Sequence, residues 1–171
     1  MQLRPADLAD LELLRRWDDQ PHVIDADPND DWEWERELAR TPPWREQLVA
    51  EVDGRPIGFL QIIDPAAEET HYWGDCPPNL RALDIWIGEA SDLGKGFGTR
   101  MMELALERCF GVPEVDGVLV DPLFDNAGAR RFYERCGFRF VERRQFGADD
   151  CAVYRLDRAA WEERRREKVG A

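Results

Sequence analysis

Apolar and polar positions along this chain change period from segment to segment, and those changes mark its elements. Leu8, Leu11, Leu14 and Trp17 recur at three-residue steps behind Asp7, which predicts an N-capped helix with one buried face. Leu3-Arg4 ahead of it closes a short first strand. Residues 18–31 are acidic and interrupted by Pro21 and Pro28, which reads as a loop, and a short helix over 31–40 ends before Pro42-Pro43. Two strands, 47–52 and 56–63, flank Asp53-Gly54, the strongest short signal for a hairpin. A polar stretch, 64–80, leads to a strand at 82–88. The glycine-rich residues 94–98 then open a helix with Met101, Met102, Ala105 and Cys109 facing inward. After a strand at 115–120, Asn126 caps a helix carrying Ala129, Phe132, Tyr133 and Cys136 on one face, with Gly137 at the left-handed end position. Strands near 138–145 and 151–156 and a mixed-charge helical tail complete an α+β order without repeats.

Composition narrows this. A chain of 171 residues, 43% hydrophobic and holding seven Trp and eight Phe, can bury the core of one domain. Its 36 acids outnumber its 23 bases, a net charge of −13 that argues against nucleic acid or an anionic membrane as partner. The excess is not spread evenly. Residues 1–92 carry 22 acids and 8 bases, whereas residues 93–171 carry 14 and 15, and six of the seven tryptophans lie in the acidic part. Such a surface is a solvated face or a seat for a polycation, since carboxylates attract ammonium groups and Trp faces stack on cations and sugars. No stretch approaches the roughly 18 apolar residues of a bilayer span, and the N-terminal residues resemble no export signal. The cysteines at 76, 109, 136 and 151 form no C-x-x-C pair and have only His22 and His71 as co-ligands. Reduced thiols, no metal and a cytoplasmic location are therefore expected. Both histidines are expected exposed in loops, without a catalytic role.

Gly94-Lys95-Gly96-Phe97-Gly98-Thr99 lies between a strand and a helix, which is the physical arrangement of an anion site. Glycines let backbone approach a phosphate, and the first N–H groups of the helix point at it. The nucleotide pattern G-x-x-x-x-G-K-[ST] is absent, and Thr99 stands where a dinucleotide fingerprint needs its third glycine.

At this point the chain resembles the GNAT superfamily of acetyl-CoA-dependent N-acetyltransferases. The family pattern Q/R-x-x-G-x-G/A is similar to Leu93-Gly94-Lys95-Gly96-Phe97-Gly98, and the strand Leu83-Asp84-Ile85-Trp86-Ile87 precedes it as the family's does. Asp121-Pro122, Asn126, Ala129, Tyr133 and Gly137-Phe138 look like the family's second cofactor motif. Together with Ala90-Ser91-Asp92, these residues most resemble aminoglycoside 6′-N-acetyltransferases. The resemblance implies a mixed, mostly antiparallel twisted sheet flanked by helices and splayed at the cofactor strand. It implies an acidic acceptor half (1–92) and an acetyl-CoA half (93–171) of a single domain.

By the same resemblance, acetyl-CoA is held by Ile85, Trp86, Ile87, Leu93, Gly94, Lys95, Gly96, Phe97, Gly98, Thr99, Asn126 and Ala129. Leu93 replaces the usual Gln or Arg, which leaves the backbone cradle as the phosphate contact. A cationic small-molecule amine is the partner, bound by Asp25, Trp73, Asp84 and Asp121 to a monomer or homodimer. Carboxylates around an ammonium raise its pKa, so the charge that attracts the amine creates the need for a base. Asp84 stands as that base or as a counter-ion, and Tyr133 as the acid protonating the leaving thiolate or as a core tyrosine. A backbone N–H at Ile87 or its neighbour polarises the thioester carbonyl. Acetylation of a siderophore precursor or a protein N-terminus, and a non-catalytic acyl-CoA-binding module, are the rival readings.

Overall fold

A computed structural model describes residues 1–170. Its elements in chain order are β1 (Gln2–Pro5), α1 (Leu11–Asp18), α2 (Pro21–Ala26), α3 (Trp34–Leu38), β2 (Arg45–Val52), β3 (Arg55–Ile63), β4 (Leu80–Ile87), α4 (Phe97–Phe110), β5 (Gly117–Val120), α5 (Ala127–Cys136), β6 (Arg139–Phe146), β7 (Asp149–Asp157) and α6 (Arg158–Gly170). The strands form one sheet in the order β1-β2-β3-β4-β5-β7-β6. The pairs β1–β2, β2–β3, β5–β7 and β6–β7 run antiparallel, and β4–β5 runs parallel. That parallel pairing registers Leu80–Ala82 against Gly117, Val118 and Leu119, while β4 itself continues to Ile87.

The chain packs as two compact units, residues 1–63 with 83–105, and residues 64–82 with those from Leu106 onward. In the first, the hairpin signal is realised: Asp53 and Gly54 both take positive φ, 51° and 76°, the turn whose twist matches two antiparallel strands. Leu14, Trp17, Trp34, Leu38, Val49 and Phe59 form its buried cluster. In the second, Val118, Val120, Tyr154 and Leu156 are buried on paired strands, and Trp161 of α6 stacks on Phe110 at 4.7 Å.

Three local expectations are corrected. Leu8 is 54% exposed, off the helix face on which Leu14 and Trp17 are fully buried. Asp7 and Asp10 close a capping box over a 3₁₀ turn at Leu8–Asp10, and three residues per turn put Leu8 out of phase with α1. Residues 18–31 are not all loop, because α2 starts at Pro21, where the missing N–H costs nothing and φ is already set. The helix expected over 31–40 is confined to α3, behind Glu33 at φ 43°.

Trp17 lies against Gly88, just beyond β4. A Cβ on Gly88 would come within 2.0 Å of the indole, which is itself fully buried and tied by Nε1 to Glu89 Oε1 at 3.1 Å. Gly88→Ala is therefore expected to lose about 1–3 kcal/mol of stability as overpacking, read as a lower urea midpoint at an unchanged m-value. An unshifted midpoint would show that the two elements can part freely.

Candidate active site

Asp84 and Trp86 share one face of β4, two residues apart. On neighbouring β3, Gln61 Nε2 donates to Asp84 Oδ2 at 2.6 Å, and the Phe59 ring lies 4.7 Å from that of Trp86. Trp32 and Trp34 stack on each other at 4.9 Å and pack against Phe59 and Trp86. Part of Asp84's surface is open, yet enough protein surrounds its carboxyl group for desolvation to dominate. Burial pushes its pKa up to about 6, with the Gln61 bond acting against the rise and the like charge of Asp30 adding to it. Such a group is ionised at neutral pH yet holds a proton more readily than an ordinary aspartate, the poise suited to proton transfer.

The glycine loop follows on the same unit. Gly94 and Gly96 take φ of 72° and 82°, and an added Cβ at either would meet nothing within 4 Å. Conformation rather than crowding therefore selects glycine here, and the space before the loop is open. The first-turn N–H groups of α4 lack helical partners by construction, so an anion fits against them. Arg55 anchors the loop by a two-pronged bond to buried Asp92, at 2.6 and 3.1 Å, and Lys95 Nζ lies 3.5 Å from the same carboxylate. Leu93, Lys95 and Thr99 are exposed, and Phe97 and Gly98 are half-buried.

The end of β4 is held by a residue that sequence reasoning passed over. His22 lies on α2 rather than in an exposed loop, and its Nε2 is 2.8 Å from the Ile87 carbonyl oxygen. The next N–H, of Gly88, donates to Ile57 O at 2.9 Å. The peptide group between Ile87 and Gly88 is thus tied at both ends. The available signal was Pro21, a helix starter immediately before the histidine. Asp25 is exposed on the same short helix, which corrects its expected place in a loop.

In the second unit, Asn126 Oδ1 accepts the Ala129 N–H at 3.0 Å and Gly137 closes α5 at φ 102°. Tyr133 is 8% exposed, with the Phe132 and Phe138 rings 5.3 and 5.8 Å away. Asp121 Oδ2 accepts the Tyr72 hydroxyl at 2.6 Å. Tyr72, which spacing did not single out, is 46% exposed and stacks on Phe146 at 4.5 Å, whereas adjacent Trp73 is buried beneath, edge-on to both rings. Glu68 shapes this turn by accepting the Thr70 and Tyr72 N–H groups at 2.7 and 3.0 Å. His71, at φ 53°, is exposed in it. Among the described residues, no group of three or more His, Cys, Asp and Glu side chains could hold a metal, and no helix is long and apolar enough to cross a membrane.

Residues 7–146 match the acetyltransferase (GNAT) domain family, and the chain belongs to it. Aminoglycoside N(6′)-acetyltransferase type 1 of Serratia marcescens is 30% identical over 75% of this chain and 69% of its own. Lysine N-acyltransferase MbtK of Mycobacterium tuberculosis is 26% identical over 91% of this chain and 76% of its own. The crystal structure of aminoglycoside acetyltransferase AAC(6′)-Ib in complex with coenzyme A and kanamycin superposes with a TM-score of 0.85 at 27% identity, covering 96% of this chain and 98% of that one.

The pKa of Asp84 has a consequence for stability. Unfolded, the group titrates near 3.9, and folded near 6, so the folded form binds the proton more tightly. The stability this contributes is full below about pH 4 and is lost as pH rises through about 6. Asp84→Asn removes the buried charge, so at pH 8 it is expected to be more stable than the parent by about 1–3 kcal/mol, a gain absent at pH 4. Urea melts at the two pH values check this, and an equal effect at both would contradict the shift.

Proposed function

We propose that this GNAT acetyltransferase acetylates a primary amine of a polycationic small molecule, with the 6′-amine of an aminoglycoside as acceptor. The observation that carries the reading is the Asp84 carboxyl group, poised near 6 on the strand before an open glycine loop. The similarity to aminoglycoside acetyltransferases and the acid excess of residues 1–92 support the choice of acceptor.

The acetyl group comes as the thioester of acetyl-CoA. The backbone of Gly94, Lys95 and Gly96 and the N-terminus of α4 bind its phosphates, and the strand residues Ile85, Trp86 and Ile87 and the helix start at Asn126 and Ala129 bind its arm. Asp84 first pairs with the ammonium and then takes one of its protons as the freed amine attacks the carbonyl carbon, so base and counter-ion are successive roles of one carboxylate. A backbone N–H at Ile87 or its neighbour bonds the carbonyl oxygen as negative charge develops there, and the ties from His22 and Ile57 keep this strand end from reorganising. Tyr133 donates its phenolic proton to the departing thiolate, a weaker acid serving a base whose conjugate acid is near 8.5. Asp121 binds a second ammonium by exchanging its bond to Tyr72 for one to the ligand. Asp25 and Trp73 complete the acceptor contacts, Asp25 as an exposed charge and Trp73 as the floor beneath Tyr72.

A second reading, acylation of a lysine-type amine, is favoured by the MbtK match, which spans more of this chain. Thiol release from acetyl-CoA, measured with a panel of aminoglycosides, polyamines and lysine derivatives and followed by product mass, separates the two. The expected outcome is one added acetyl group on an aminoglycoside. Asp84→Asn is expected to lower kcat/KM by about 10²–10⁴ and Tyr133→Phe by a similar or smaller factor. Turnover of a lysine derivative with none of any aminoglycoside would replace the first reading by the second. Acetyl-CoA binding without turnover of any amine would refute both.

A further inference from the structure

Gln61 is 6% exposed on β3, with buried Leu60 and Ile62 as its chain neighbours. A buried amide is unfavourable unless both its ends are bonded. Here the nitrogen end is bonded, to Asp84 Oδ2 at 2.6 Å, while the buried Oε1 has no hydrogen-bond partner. Nor can the amide turn over to improve its position. Reversal would set the carbonyl oxygen against a carboxylate and give up the bond that exists. A Met or Leu would fill this place without an unpaired acceptor, so the packing of β3 does not account for an amide. Its bond to Asp84 does.

We infer that Gln61 is a positioning residue for the transfer reaction: its Nε2–H holds Asp84 by Oδ2 and so leaves Oδ1 to meet the amine. The inference rests on the reading of Asp84 as the base. A carboxylate on a strand is free to rotate about its last torsion, and one fixed donor removes that freedom before the amine arrives, which is what preorganisation requires. The same donor bonds the charged form of Asp84. It acts against burial and against the charged group that faces Asp84 from the segment before α3, Asp30; from β3 the facing group is Gln61 itself, which carries no charge. Without the donor, both remaining influences favour the neutral acid. The proton would then stay on Asp84 at a pH where the reaction needs it gone.

The test is the titration of the Asp84 carboxyl carbon by NMR, with the resonance identified by its absence in Asp84→Asn, in the parent protein, Gln61→Met and Gln61→Glu. This readout needs no acceptor. The parent is expected to titrate near 6, Gln61→Met about one unit higher, and Gln61→Glu higher still because two carboxylates then share the site. The acid limb of kcat/KM for acetylation of kanamycin should move with it, so that Gln61→Met loses about fivefold at pH 6, approaching tenfold at pH 5, and almost nothing at pH 9. Gln61→Glu keeps shape and polarity and serves where Gln61→Met does not fold. A parent midpoint near 6 that neither variant moves, or activity falling by one factor at every pH, would overturn the positioning role while leaving Asp84 as the base. A parent midpoint near 4, or a limb that survives Asp84→Asn, would overturn the base reading and this inference with it.

Discussion

The fully buried indole of Trp17 lies so close to Gly88 that no side chain fits between them, and the local geometry of the first unit follows from that contact. It fixes where α1 crosses the end of β4, and α1 brings Arg16 to Glu89 at 3.1 Å. The short α2 that follows brings His22 to the carbonyl of Ile87. Three residues beyond Glu89 comes Asp92, which Arg55 at the start of β3 holds. The strand end and the glycine loop are thus bounded by contacts from α1, α2 and the hairpin. A segment whose own residues favour turns and positive φ acquires a defined shape only because its surroundings are rigid. The loop glycines supply the conformation, and the indole and the Arg55–Asp92 pair supply the fixity.

Asp84 shows the same division between what is stable and what is useful. Burial removes from water a group that water would solvate better, one amide bonds it, and its raised pKa reflects that disadvantage. A structure selected for stability alone would place an apolar residue there. Strain or desolvation retained at one point while the surrounding packing is tight is the mark of a working site. The tight packing is visible nearby, where Gly58 approaches the carbonyl of Trp86 so closely that an added Cβ would sit 2.3 Å from it.

Features whose physical cause is local were readable in the sequence. Asp53-Gly54 forms its turn because both residues tolerate positive φ, Asn126 caps α5 because its side chain reaches the Ala129 N–H, and Gly137 ends the helix because only glycine adopts φ 102° without penalty. The places of Asp84 on a strand and of the glycine loop just before a helix were readable from the pattern of the residues around them. What stayed hidden depends on residues far apart in the chain. His22 meets Ile87 across 65 residues, Tyr72 meets Asp121 across 49, and Gln61 meets Asp84 across 23, and none of these partners leaves a periodic trace. Tyr72 faces outward and Trp73 inward in a turn that Glu68 folds around its own carboxylate, an arrangement that no short motif announces. The loss of phase at Leu8 has a local cause instead, the capping box in which Asp10 accepts the Asp7 N–H while also pairing with Arg4.

The acid excess also becomes more specific once its partners are known. The eight arginines of residues 1–92 all stand in ion pairs, with Asp10, Glu51, Glu12, Glu35, Glu89, Glu33, Glu37, Asp92 and Asp64. The acids of those pairs all lie outside residues 18–31, and within that segment carboxylates act on one another. Asp18 is pushed above the usual carboxylate range by burial first, and by the like charges of Asp19, Asp30 and Asp31 besides, while the Trp34 indole donates to it. A field of this sign attracts an ammonium and raises its pKa, so the amine arrives bound and unreactive. Asp30 is also the neighbour whose charge raises the proton affinity of Asp84. On the proposed mechanism, one set of carboxylates therefore makes the amine harder to deprotonate and the base stronger together, and the proton can pass between them although neither stands at its value in water.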